Sequence, residues 1–242
     1  MRSNRLNIFK EEVLNDEHKP QLDELFGQWR MHDACTEGIF IPDGYVDEEA
    51  WSVATLKLMV LLKEVNSSDA GWDLQQFVRE KGYLKESSTW PVLLRWTYGI
   101  LNGFPDYSEV EKRYLDVKEE ADEFLRKVYF ANVKKIAGGA KANHTDVERH
   151  IQETGELLLQ QIRVVNPDLV LFCGDVIFQG VHELLKRSGP HIFELKQTSG
   201  GLEYIMWADI QTVFIRYHHP NAYYPRAMSY TYLMKEIQKI LS

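Results

Sequence analysis

The sequence predicts a single α/β domain whose parallel sheet of four strands is covered on both faces by helices, with a helical extension at the N-terminus. Three observations predict it. Four apolar runs, LKLMVLLKEV (56–65), KVYFANV (127–133), DLVLFCG (168–174) and TVFIRYHH (212–219), are near-continuous rather than alternating, the pattern of strands buried on both sides. Stretches with helical spacing separate them, the order expected of parallel strands joined by crossover helices. No repeat, low-complexity segment or linker divides the 242 residues, so residues 1–242 read as one domain, with 1–54 as the packed extension.

Taken in order, Leu6 to Leu14 and Leu22 to Trp29 carry helical spacing interrupted at Pro20, which predicts two short helices. The segment 38–49, with Pro42-Asp43-Gly44, has turn chemistry and is expected to cross the surface as a loop. Helices are predicted over 72–82, 90–101, 109–126, 145–165, 175–187 and 228–241. Thr145 and Glu148 form a capping-box pattern, and Asn166-Pro167 ends that helix. Asp175 after Gly174 reads as an N-cap.

Composition excludes several classes. The 28 Lys+Arg against 36 Asp+Glu leave a net charge of −8, which opposes nucleic-acid binding by overall charge. Any strand contact must then come from a local basic rim, for which Lys134, Lys135, Lys141, Arg216 and Arg226 are candidates. No run approaches a membrane span and the N-terminus lacks a signal-like apolar stretch, so a cytoplasmic, non-membrane protein is expected. Two cysteines, Cys35 and Cys173, are too few for a disulfide framework or a four-thiolate cluster. Cys35 follows His32-Asp33, yet no second ligand cluster accompanies it, so no metal and no cofactor is expected. The sequence holds no GxxxxGK[ST], GxGxxG, GxSxG or HExxH.

Ligands of open parallel sheets bind outside the carboxyl ends of the strands. The residues leaving the four runs are Lys63-Glu64-Val65-Asn66, Asn132-Val133-Lys134-Lys135, Cys173-Gly174-Asp175 and His218-His219-Pro220. Three of these exits offer acid, base or amide groups. Each also has a plain structural reading: Glu64 and Asn66 as capping groups, Asn132 as a turn residue, the His-His-Pro as a rigid corner.

As an ordered set, the polar exit after the first strand, YFANVKK, NPDLVLFCG and HHPNAYYPR resemble the uracil-DNA glycosylase superfamily over about residues 55 to 242. The resemblance implies a three-layer α/β/α sandwich with a four-stranded parallel sheet. It also implies a cleft that accepts a flipped-out pyrimidine and hydrolyses its N-glycosidic bond without metal. Matched motif to motif, His219 would stabilise the departing base, Asn132 would pair with its Watson–Crick edge and Trp72 would stack on it. Members of the superfamily carry Gly and Pro in the first motif, where this chain has Lys-Glu-Val-Asn-Ser-Ser. Aligning Lys63 with that Gly makes Glu64 the catalytic carboxylate; aligning Glu64 with it makes Asn66 the catalytic amide. Lys63 would touch a phosphate, pair with Glu64 or block the pocket. Tyr223 and Tyr224 fall where members wedge the duplex, and Lys134 and Lys135 would join them as DNA contacts. The expected partner is DNA, single- or double-stranded, and the expected state a monomer. A non-catalytic base- or partner-binding protein of the same fold and a nucleoside hydrolase are the alternatives.

Overall fold

A computed structural model describes residues 18–36, 38–65, 72–86, 88–139, 143–189 and 193–242. The helix expected around Leu6 to Leu14, and the residues Asn66 and Lys141, lie outside these. Helices α1 (His18–Met31) and α2 (Asp33–Thr36) precede strand β1 (Gly44–Tyr45), α3 (Glu48–Ser52) and strand β2 (Leu58–Leu62). Then come α4 (Leu74–Arg79), a 3₁₀ turn (Gly82–Lys85), α5 (Thr89–Leu101), α6 (Tyr107–Lys112), α7 (Tyr114–Glu119), α8 (Ala121–Leu125) and β3 (Val128–Asn132). Next follow α9 (His144–Val165), β4 (Leu169–Cys173), α10 (Asp175–Ser188), β5 (Phe193–Gln197), β6 (Glu203–Trp207), β7 (Thr212–Tyr217) and α11 (Arg226–Leu241).

The sheet is mixed and seven-stranded, in the order β1-β3-β2-β4-β7-β6-β5. The four predicted strands β3, β2, β4 and β7 are adjacent and mutually parallel. The expectation of four strands alone is corrected. β1 adds an antiparallel edge on β3, and the hairpin β5–β6 adds two antiparallel strands beyond β7. That hairpin escaped the sequence reading because FELKQ is a largely exposed edge strand without a buried run.

Successive residues of the central strands face opposite sides. Leu58, Val60, Val128, Phe130, Leu169, Leu171 and Ile215 join an apolar cluster with α5, α8 and α11. Met59, Leu61, Ala131, Val170, Phe172 and Phe214 join a second with α1, α9 and α10. Helices therefore cover both faces, and the crossovers deliver the carboxyl ends of β2, β3, β4 and β7 to one edge of the sheet.

Local details differ from expectation for physical reasons. Pro20 sits in the first turn of α1, where its missing N–H has no intrahelical acceptor to lose. The helix expected over 109–126 is three short ones, α6 to α8, broken at Arg113 and Glu120. The breaks let Val110, Val117, Ala121 and Leu125 all reach the core around α5. Asn143, not Thr145, caps α9, accepting from the Thr145 N–H at 3.1 Å. Gly174 precedes α10 with φ +143°, and Asp175 is its first helical residue, paired with Arg216 at 3.1 Å. The segment 38–49 is no surface loop. Phe40 bridges to Ile136, Gly44 and Tyr45 pair with β3, and Asp43 is 1% exposed. No helix among the described residues is long and apolar enough to cross a membrane.

Candidate functional site

Backbone pairing beyond the strand ends builds the site. The Val133 N–H donates to the Leu62 carbonyl, the Lys134 N–H to that of Lys63 and the Gly138 N–H to that of Val65, at 2.9, 2.9 and 2.7 Å. The chain leaving β3 thus runs alongside the chain leaving β2. A cleft of about 610 Å³ opens there, and its lining includes Lys63, Glu64, Trp72, Asn132 and His219. Five of the residues singled out in the sequence, from four separate segments, therefore share one cavity. His144, Glu86, Ser88 and Thr89 also line it.

Asn132 ends β3 and is 1% exposed, and neither its side-chain Oδ1 nor its Nδ2 has a hydrogen-bond partner among the described residues. Buried amides are almost always hydrogen-bonded, because an unpaired one forfeits its hydration without return. An orphaned donor–acceptor pair on the wall of a cleft is poised for a ligand with the complementary edge.

His219 carries a defined tautomer. The Asn221 N–H donates to its Nδ1 at 3.1 Å, which requires a lone pair on Nδ1. Burial, then the neighbouring Lys63 and His218, bring its pKa down to about 4. The neutral ring therefore holds its proton on Nε2 as a hydrogen-bond donor. A nuclear magnetic resonance titration should show the His219 ring neutral from pH 8 to about 5 and protonating near pH 4. Because the ordinary histidine value is higher, the unfolded chain takes up this proton first, and the residue's contribution to stability drains as pH falls from about 6.5 towards 4.

His218 has a different task. Its Nδ1–H donates to the His219 carbonyl at 2.9 Å, so its Nε2 accepts from the Ser229 hydroxyl, also at 2.9 Å. Its ring stacks on Tyr224 at 4.5 Å. It anchors the turn that presents His219 and is itself held by α11.

Glu64 does not stand free. Its carboxylate accepts from Lys134 Nζ at 2.8 Å, and Lys134 also binds Asp146. The Lys134 and Glu64 side chains are 8% and 5% exposed. Burial opposes the Lys134 charge, but the hydrogen bonds it donates to Asp146 and Glu64 carry its pKa above the ordinary lysine value. Lys134 in turn leads the groups that draw Asp146 down to about 2. Glu64 lies over Gly138, where a Cβ would come within 2.0 Å of its Cδ. Gly138→Ala should accordingly displace Glu64 and lower stability by about 1–3 kcal/mol, read by thermal unfolding.

Lys134 and Lys135, expected at a basic rim, are instead buried and paired within the protein. Lys134 closes the Glu64–Asp146 pair, and Lys135 is fully buried against Asp43 at 2.6 Å. Arg216 is paired with Asp175 and Glu203. Spacing after a strand end shows which residues leave the sheet but not which turn inward. Lys63 neither pairs with Glu64 nor leaves the cleft wall; its Nζ is 3.3 Å from His144 Nε2. Arg226 stays exposed at the start of α11.

Trp72 begins an aromatic wall that continues through Phe77 (5.7 Å) and Trp90 (5.3 Å) to Phe130 in the sheet (5.3 Å). Tyr223 is fully exposed and Tyr224 half so, on the turn following His219. Cys173 is buried in β4, where burial pushes its thiol pKa up and leaves it inert. Among the described residues no three His, Cys, Asp or Glu side chains gather to hold a metal.

Sequence reasoning missed Asp43, Gly138 and His144. Only Gly138, in a Gly-Gly pair after the second exit, carried a visible signal, that of a close approach. No protein-family model matches the chain, and no curated protein matches it.

Proposed function

We propose that this protein hydrolyses the N-glycosidic bond of uracil or another altered pyrimidine in DNA, holding the flipped-out base in the cleft at the strand ends. The observation that carries the reading is the buried Asn132 amide, whose donor and acceptor have no hydrogen-bond partner among the described residues. An imide or amide edge of a pyrimidine satisfies both at once.

The chemistry follows from the surrounding groups. As the bond from C1′ to the base nitrogen breaks, its electron pair moves onto the base and negative charge develops on the carbonyl oxygens. The His219 Nε2–H is a neutral donor suited to that oxyanion, and needs no proton uptake at neutral pH. The sugar gains positive charge, which the Glu64 carboxylate, held at the cleft wall by Lys134 at 2.8 Å, would offset. Water adds to C1′ and its proton leaves to solvent or the released base. Trp72 supplies a face for stacking, and the exposed Tyr223 is available to fill the vacated stack.

A second reading has its own support. Lys134, Lys135 and Arg216 are all paired internally, so three of the six cations named for strand contact are already neutralised. This favours a free nucleoside or nucleotide as substrate, since it needs no basic track. Uracil release should be measured from single- and double-stranded uracil-containing DNA and from deoxyuridine, at two salt concentrations. The DNA reading expects release from DNA that weakens as salt rises. Release from deoxyuridine alone selects the second reading, and no release from any of them defeats both.

A further inference from the structure

We propose that Asp43 and Lys135 are positioning residues, a buried ion pair that clamps the peptide groups of Asn132 and thereby aims its amide at the bound base. The inference rests on the base-recognition reading of the cleft.

The geometry is specific to that one residue. The Asn132 N–H donates to Asp43 Oδ2 at 2.7 Å, and the Asn132 carbonyl accepts from Lys135 Nζ at 2.8 Å. Asp43 and Lys135 bind each other at 2.6 Å, with both side chains fully buried. Gln161 closes the ring: its Oε1 accepts from Lys135 at 2.9 Å and its Nε2 donates to Asp43 Oδ1 at 3.0 Å. Both main-chain groups of the amide-bearing residue therefore end on one charged pair.

Three arguments give the pair a functional task. First, the Asn132 side-chain amide has no hydrogen-bond partner among the described residues, so no polar contact fixes its direction, and holding the backbone fixes the point from which the amide projects. Second, a buried ion pair is seldom the most stable filling for a core, since well-packed apolar side chains of similar volume often serve equally well. What it does supply is direction, because charge-assisted hydrogen bonds fix geometry that apolar contacts leave loose. Third, the chain is shaped to bring Asp43 inside. Gly44 has φ +148°, and a Cβ there would lie 2.6 Å from Gln75 Nε2. The segment that reads as a surface turn is instead the route by which the N-terminal part of the chain reaches the site.

The test compares two double variants with the parent. Asp43→Leu with Lys135→Met removes the clamp without orphaning a charge; Asp43→Asn with Lys135→Gln removes the charges but keeps an acceptor for the Asn132 N–H and a donor for its carbonyl, with the Gln161 amide free to flip to match. Free uracil is the probe, its affinity followed by isothermal titration calorimetry well below each thermal midpoint. The side-chain NH₂ resonances of Asn132, assigned by their loss in Asn132→Leu, give a readout that needs no ligand. The apolar pair should bind uracil about tenfold or more weakly and shift those resonances. The amide pair should return affinity to within about threefold of the parent. A folded apolar double variant with parental affinity and unmoved resonances overturns the proposal. Should that variant not fold, Gln161→Met, which cuts one bond to each partner, takes its place and must move the Asn132 resonances. If the parent itself binds no uracil, the base-recognition reading falls, and the Asn132 resonances alone decide the clamp.

Discussion

Asn132→Leu should make the protein more stable and less active at once. Leucine removes a buried amide with no hydrogen-bond partner among the described residues and keeps the same branching at Cγ, its extra bulk directed into the open cleft. The gain is about 1 kcal/mol, since it lifts the desolvation cost of an unpaired polar group. For a domain of this size that is a rise of about 2–4 °C in thermal midpoint. Base release should fall by about 10²–10³-fold, the usual loss when a preorganised hydrogen-bonding group is deleted from a site. Few substitutions move stability and function in opposite directions, and a residue conserving the fold moves both downwards. Calorimetry and a release assay on the same preparation check the pair of signs.

Lys134→Met should have the largest effect on stability among the substitutions considered. It leaves Glu64, 5% exposed, beside Asp146 with no shared cation between them. Orphaning a buried charge costs about 3–5 kcal/mol; the low end applies, because Asp146 keeps 26% exposure and a second partner in Arg149 at 2.7 Å. About 3 kcal/mol corresponds to a fall of about 6–12 °C in midpoint. The pH dependence carries a further sign. Asp146 is ionised in the folded protein down to about pH 2, below its ordinary value of 3.8. Its contribution to stability is fully present above that ordinary value and is lost as pH falls from about 4 to about 2. In Lys134→Met this acid-driven loss should shrink, because the Asp146 carboxyl no longer has its main reason to resist protonation. Urea unfolding of parent and variant at pH 7, 4 and 2.5 measures it.

The parallel centre of the sheet was legible because burial on both faces leaves a signature that local context does not hide: LVLFC (169–173) and LMVLL (58–62) have no polar residue to place. β5 and β6 were not, since a hairpin at a sheet edge is half solvent-facing and its Glu, Lys and Gln read as loop or helix surface. The strand exits were legible for a topological reason. Parallel strands put their carboxyl ends on one edge, so the sequence alone places Glu64, Asn132 and His219 at a common edge. What a one-dimensional reading misses is which way a side chain turns after it leaves the strand. Lys134 and Lys135 are neighbours of identical type; one closes an ion pair on the cleft wall and the other lies beneath the sheet exit, 4.6 Å from the Trp29 ring. Their fates depend on Asp146, 12 residues from Lys134, and on Asp43, 92 residues from Lys135. Asp43 was misread for the opposite reason, because Pro-Asp-Gly is turn chemistry wherever the turn lies, buried or exposed.

The central claim is that one cleft recognises a base through the amide of Asn132 and the imidazole of His219. Titrating free uracil into isotope-labelled protein at pH 7, while following the Asn132 side-chain NH₂ and the His219 Nε2–H, tests it most directly. The account predicts that both signals move together and saturate at the same uracil concentration, with the His219 ring neutral throughout. Saturating uracil that leaves the Asn132 amide unmoved would contradict it.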